Sequence, residues 1–231
     1  MGLTPMMQQY LEMHEQAPDA ILMFRLGDFY EMFFDDAVLA SKELEIALTG
    51  RDCGLDERAP MCGVPHHAAD SYIARLVEKG HKVAICEQME DPALAKGIVK
   101  REIIRIVSPG TVTDSSVLDP GSNNYLMCIS AGRTGQKVQE TGCAVLDLST
   151  GAFMVSEYDG NDRTGWLQDE CARFSPSEIL LHSALYEDEK LPKRLEQVSS
   201  AFVEPFPSRR YAKGEAEQLL KEQFGVYSVG A

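Results

Sequence analysis

Nowhere in its 231 residues does the sequence hold an apolar run near the roughly 18 to 20 residues that a membrane span requires. The start "MGLTPMMQQYLEMHEQ" reads as polar and helical rather than as a charged segment leading into an apolar one, the pattern a signal peptide needs. On this reading a soluble, globular protein is expected, with the cytoplasm as the default location. The six cysteines are spread through apolar contexts such as "VAICEQ" and "GCAVLDL", without the close pairing of a zinc site or the density of a disulfide scaffold. Basic charge is scarce as well. Lys and Arg number 11 against 19 acidic residues in 1–116, and 11 against 17 in 117–231, so neither half has the excess of a self-sufficient nucleic-acid binder. There is no Gly-x4-Gly-Lys-[Ser/Thr] phosphate loop, and "GRTGQKV" does not supply one.

What is present suits a globular chain with a hydrophobic content of 44%, long enough for two domains. Residues 108–124, "SPGTVTDSSVLDPGSNN", are turn and linker vocabulary and predict a boundary between a domain at 1–107 and another at 125–231. In the first, Thr4 as N-cap and Pro5 at the first helical position open a helix to about Gln16. "AILMFRL" reads as a strand stopped by Gly27. A helix begins near Asp35 and Asp36, with Val38, Leu39 and Leu44 on its apolar side. Another spans about Ala69 to Lys79, "HKVAICEQ" and "REIIRIV" are strands, and "DPALAKG" is a short helical turn between them. This is an α/β mixture around a mixed sheet. In the second domain "YLMCIS", "GCAVLDLS" and "AFMVSEY" are strands, followed by alternating helices and strands through "AKGEAEQLLKEQF", an order that resembles the ribonuclease-H-like arrangement. The ending "FGVYSVGA" carries no helical stop, which predicts that the second domain is cut from something longer.

The stretch Gly27 to Phe34, "GDFYEMFF", sets two carboxylates among four aromatic rings. On a helix Phe29 and Glu31 would stand about 200° apart. In an extended segment Phe29, Glu31 and Phe33 share one face, Tyr30, Met32 and Phe34 the other, and the ring and carboxylate lie about 7 Å apart. The even set is wholly apolar and suits the core. Burial preference alone makes Phe29 ordinary core too.

A resemblance shifts that weighting. "TPMMQQYLEMHEQAPDAILMFRLGDFYEMFFDDA", "APMCGVPHHAADSYIARLVEKGHKVAICEQMEDP" and "KGIVKREIIRIVSPGT" resemble the N-terminal part of the bacterial MutS family of DNA mismatch-recognition proteins, and the similarity extends into "LDLSTG". The family's Phe-x-Glu motif is intact here as Phe29-Tyr30-Glu31. The resemblance implies that Phe29 wedges into the minor groove at a mispair and that Glu31 hydrogen-bonds the mispaired base, its pKa raised by nearby negative charge and desolvation. It also implies that 125–231 is a connector relaying to an ATPase part and to MutL. ATP, Mg²⁺ and pairing with a second MutS subunit then belong to the full-length protein, and this stretch needs no cofactor.

Other contacts are open. Lys96, Lys100, Arg101 and Arg105 form the densest basic patch of the first domain, and Arg51 and Arg58 lie in a Gly-containing loop; each is a candidate phosphate contact or a solvated surface charge. Met61 packs beside the wedge by resemblance, or is simply a core methionine. Cys53, Cys62, His66 and His67 can be drawn as metal ligands, but adjacent histidines rarely converge on one ion, and a surface loop is the plainer reading. Asp28, Glu31, Asp35 and Asp36, or Asp147 in "LDLSTG", are the acids an enzyme reading would gather, yet no convincing set converges. The expected role is binding, not catalysis.

Overall fold

A computed structural model of the chain describes residues 2–229 except 92–94, 96, 114–117, 119–120, 135–136 and 189, and describes only the backbone at 133, 134, 137–139 and 208. It divides into two compact units, Met1–Val117 and Leu118–Ala231.

The first unit is built on seven-residue β1 (Ala20–Leu26), whose first five residues are all buried. Such a run needs cover on both faces of the sheet, and the helices supply it. α1 (Pro5–His14) starts where Thr4 accepts the Met7 N–H at 3.4 Å. It lays Met7 and Tyr10 over a cluster that includes Leu22, Phe24, Phe33, Ala84 and Cys86. The opposite face lies under α2 (Phe34–Leu44) and α3 (Ala69–Glu78), and the Cys62 thiol on that face donates to the Ala37 carbonyl at 3.4 Å. β2 (Phe29–Phe33), β3 (Thr49–Arg51), β4 (Ala59–Pro65), β5 (Lys82–Gln88) and β6 (Arg101–Val107) complete a sheet in the order β3-β4-β2-β1-β5-β6. β1 and β5 are parallel; the other pairs are antiparallel. Residues past Val107 remain part of this unit, since Ser108 caps the 3-10 turn Pro109–Thr111 and Val112 is buried.

Three sequence expectations change here. The buried stripe of α2 is Ala37, Ala40, Ser41 and Leu44, while Val38 and Leu39 are exposed, because close packing of α2 on the sheet selects the small residues. Residues 49–65 contribute two strands rather than only a surface loop. Phe34 is not the last core-facing step of the extended segment but the first residue of α2, at φ 53°, so strand turns to helix without a linker. That φ is costly for a non-glycine residue. It is held by Asp36, whose Oδ2 accepts the Tyr10 hydroxyl at 2.9 Å and the Leu22 N–H at 2.9 Å. Leu22 lies beyond the residues of β1 that pair with β2, so Asp36 satisfies a strand donor the ladder leaves over. "DPALAKG" falls largely outside the described residues.

The second unit carries β7 (Tyr125–Thr134), β8 (Lys137–Asp147) and β9 (Ala152–Tyr158) as an antiparallel meander. β10 (Glu178–His182) and β11 (Phe202–Phe206) then add parallel strands, giving the order β11-β10-β7-β8-β9. In chain order this is 5-4-1-2-3, the ribonuclease-H-like sheet. The core, with Met127, Ile129, Val145, Leu167, Cys171, Ile179 and Leu195 fully enclosed, forms under α4 (Arg163–Phe174), α5 (Ser183–Tyr186) and α6 (Lys190–Ser199). α7 (Lys213–Phe224) buries no residue.

Candidate nucleic-acid interface

β1 and β2 form a hairpin closed by the pair Leu26 and Phe29. Gly27 at φ 59° takes the one turn position that needs a left-handed backbone, and Asp28 follows at negative φ, the sign pattern of a type II′ turn that matches strand twist. Phe29 is thus the first residue after the turn. Phe29 is 46% exposed, whereas Tyr30, Met32 and Phe33 behind it are buried. The face that Phe29 shares with Phe33 is therefore divided: α1 covers Phe33, whose ring meets Tyr10 edge-on at 5.0 Å, and leaves Phe29 at the uncovered rim.

The hairpin tip is braced on both sides. Across from Phe29 stands Pro65 of β4, and the next residue, His66, donates its N–H to the Asp28 carbonyl at 2.8 Å. On the opposite face the Tyr30 hydroxyl donates to Glu87, which also receives Arg25 at 3.3 Å, and the Arg25 guanidinium lies 5.5 Å from the Tyr30 ring centre. Burial and the Glu87 carboxylate push the Tyr30 phenol up to about 12.

Glu31 shares the face of Phe29 but leans away from it. It pairs with Gly63 of β4, and a Cβ built at Gly63 would lie 3.4 Å from Glu31 Cγ and 3.2 Å from the Tyr30 carbonyl. The missing side chain leaves a notch beside Glu31, whose carboxylate reaches Arg51 at the end of β3. The two side chains form an ion pair, with Glu31 16% and Arg51 38% exposed.

The remaining candidates fall into two separated groups. Met61 is half-buried opposite Phe33, not opposite Phe29, and its carbonyl accepts the Thr49 hydroxyl at 3.0 Å. Arg58 is exposed and passes over Gly50, within the Arg51 end of the sheet. Lys100, Arg101 and Arg105 belong to the other edge, beyond four intervening strands and so about 24 Å from β3 at ~4.8 Å per strand. Lys100 is exposed and paired with Glu102 at 2.5 Å. Arg105 is exposed and donates to Thr113 Oγ1 at 3.2 Å. Arg101 is only 6% exposed. Its guanidinium donates to the Arg25 carbonyl at 2.7 Å, Gln9 at 2.8 Å and the Val99 carbonyl at 3.0 Å, so the structure assigns it to the interior and not to a phosphate. Lys96 lies outside the described residues.

Residues 4–116 match the family model described as MutS domain I, and residues 124–231 match MutS domain II. The chain belongs to the MutS family. Its MutS relatives include the DNA mismatch repair protein MutS of Acetivibrio thermocellus, 54% identical over 228 residues that make up 99% of this chain and 26% of that protein. Those of Ruminiclostridium cellulolyticum and Desulforamulus reducens are 54% and 53% identical over 96% and 97% of the chain and 25% of each protein. The chain thus spans about a quarter of the length of these MutS proteins.

Within the MutS domain I unit, sequence reasoning passed over Gly63, the Arg25–Glu87 brace and the Glu31–Arg51 pair. Only Gly63 left a signal: a glycine inside an otherwise apolar strand marks a close approach of another group. In the MutS domain II unit, Asp147 anchors a turn. One of its oxygens accepts the Ser149 hydroxyl at 2.6 Å and N–H at 2.9 Å and the Thr150 N–H at 3.3 Å, tying down the turn to β9.

Proposed function

We propose that this chain reads mispaired steps in double-stranded DNA, with Phe29 as the wedge and Glu31 as the group that hydrogen-bonds the displaced base. The observation that carries this reading is the half-exposed Phe29 ring at a rigid hairpin tip, among aromatic neighbours that are buried. A phenyl ring inserted from the minor groove unstacks a base step at a cost of a few kcal/mol, and less where pairing is already defective. That difference selects the mismatch. Glu31, on the same strand face, supplies direction through hydrogen bonds to a base edge.

The chain acts by binding. The second unit serves as a connector to the rest of a longer MutS protein and to MutL. ATP and Mg²⁺, a second MutS subunit and the cytosolic, nucleoid-associated setting belong to that longer protein.

Titration of a fluorescent heteroduplex carrying one mispair, and of its matched counterpart, at low salt tests this. The chain is expected to bind weakly, with a preference for the heteroduplex that Phe29→Ala abolishes and Glu31→Ala narrows. Affinity should fall steeply with salt. An unchanged preference in the Phe29→Ala chain defeats the wedge.

A further inference from the structure

Arg51 reads from sequence as one more cation for the phosphate backbone. Its geometry assigns it elsewhere. The guanidinium is already committed to the Glu31 carboxylate, and Glu31 is the more enclosed partner of the two. Among the described residues Arg51 is the one cation in ion-pair contact with Glu31. Glu31 runs beside Gly63, where a Cβ would lie 3.4 Å from its Cγ, and its carboxylate extends from there to Arg51 on β3. Thr49, two residues before Arg51 on the same strand face, anchors β3 to β4 through the Met61 carbonyl, and this fixes where the guanidinium is presented.

We infer that Arg51 is a positioning residue for mismatch reading: it holds Glu31 in the Gly63 notch and neutralises it, so that a carboxylate can approach a duplex. This rests on the proposed role of Glu31 and deepens it. A carboxylate brought unpaired toward two phosphate chains meets repulsion from both, and the repulsion grows as water leaves the interface. Paired with Arg51, Glu31 enters as half of a neutral couple. It retains an acceptor oxygen for the base, because a guanidinium need not occupy both carboxylate oxygens. Arg51 therefore acts through Glu31 and makes no phosphate contact of its own.

The two roles differ in what they couple to. A phosphate contact weakens binding by the same factor whatever stands at position 31, and its loss lowers the slope of log affinity against log salt by about 1. A positioning residue loses its purpose once position 31 is neutral. The test is a heteroduplex titration of the 231-residue chain with Arg51→Ala, Glu31→Gln, the double variant, Arg51→Lys, Gly63→Ala and Phe29→Ala, each first shown to be folded by its circular dichroism melt.

Arg51→Ala is expected to weaken heteroduplex binding about tenfold with Glu31 present and less than about twofold in the Glu31→Gln background, at an unchanged salt slope. Arg51→Lys keeps the charge but not the fork, and should recover part of the loss. Gly63→Ala, which alters no charge and leaves Arg51 in place, should displace Glu31 and narrow the preference for the heteroduplex. Equal losses in both backgrounds, or a slope lowered by about 1, overturn the inference and return Arg51 to the phosphates. If Phe29→Ala abolishes the preference while the Arg51 losses are equal, only this inference fails. If Phe29→Ala leaves the preference intact, the wedge reading fails and this inference falls with it.

Discussion

The guanidinium carbon of Arg101 stands 4.8 Å from the centre of the Phe24 ring, inside the α1 side of the first unit. No carboxylate is among the partners described above; the charge is met by two carbonyls, an amide oxygen and a π face. Burial accordingly lowers its pKa from the usual arginine value, though it stays charged. Arg101→Met keeps the stem and removes the charge and its hydrogen bonds. We expect a loss of about 2–4 kcal/mol in urea unfolding, from a desolvated cation–π contact and hydrogen bonds of about 1 kcal/mol each. The salt slope of DNA binding should not change.

Tyr10 and Asp36 tie α1 to both β1 and the start of α2. Burial first, and the Asp36 carboxylate second, hold the phenol far above its ordinary pKa, so it remains a donor at any pH at which the chain is folded. Tyr10→Phe should cost about 1–2 kcal/mol by leaving Asp36 short of a donor, and Asp36→Asn should cost less because it keeps an acceptor for the Leu22 N–H. Chemical denaturation of the two variants and their double measures the coupling.

Asp147 gives the second unit an acid limb. The Ser149 hydroxyl, aided by the Ser149 and Thr150 amides, holds its carboxyl below the usual aspartate range. A depressed folded-state pKa stabilises fully above the unfolded value near 4, and the contribution is lost as pH falls through the lower folded value. The only tryptophan, Trp166, stacks on Tyr158 at 5.2 Å and so reports this unit. Trp166 fluorescence melts between about pH 5 and pH 2.5 should show declining stability, and Asp147→Asn should flatten that decline while lowering stability at neutral pH.

Five thiols are buried, Cys53, Cys62, Cys86, Cys143 and Cys171. Burial pushes Cys62 up to about 11 and Cys86, Cys143 and Cys171 up to about 12. At pH 8 these four should resist iodoacetamide in the folded chain and react within minutes in denaturant, as read by intact-mass and peptide spectra. Labelling of any of them under native conditions would reveal local opening of its unit.

Local chemistry made most elements legible. Thr4-Pro5 marked the first helix, the unbroken run from Ala20 to Leu26 marked β1, and Ile73, Leu76 and Val77 marked α3 by their spacing. β3 and β4 were missed because "TGR" and "APMCGVP" carry the Gly and Pro that usually end strands; here Pro60 and Pro65 are tolerated and Gly63 is used. The stripe on α2 was misread because Val38 and Leu39 outrank alanine in hydrophobicity, whereas a helix lying close to a sheet needs small side chains. Within the site, alternation correctly set Phe29 and Glu31 on one face. It said nothing of where α1 stops covering that face, nor that Arg51, twenty positions along, would claim Glu31. Those are tertiary facts, fixed by the register of β2, β4 and β3 rather than by any local pattern.

Phe29 lies between two ladders, with Leu26 on one side and Pro65 on the other, one residue from a two-residue turn. A sideways push on its ring is therefore shared along β1 and β4, as a load on a short beam clamped along both flanks is carried by the clamps. Such a beam has no hinge at which to yield. On the proposed wedge reading, the compliance then comes from the nucleic acid, and the softness of a base step is the quantity the Phe29 ring would gauge.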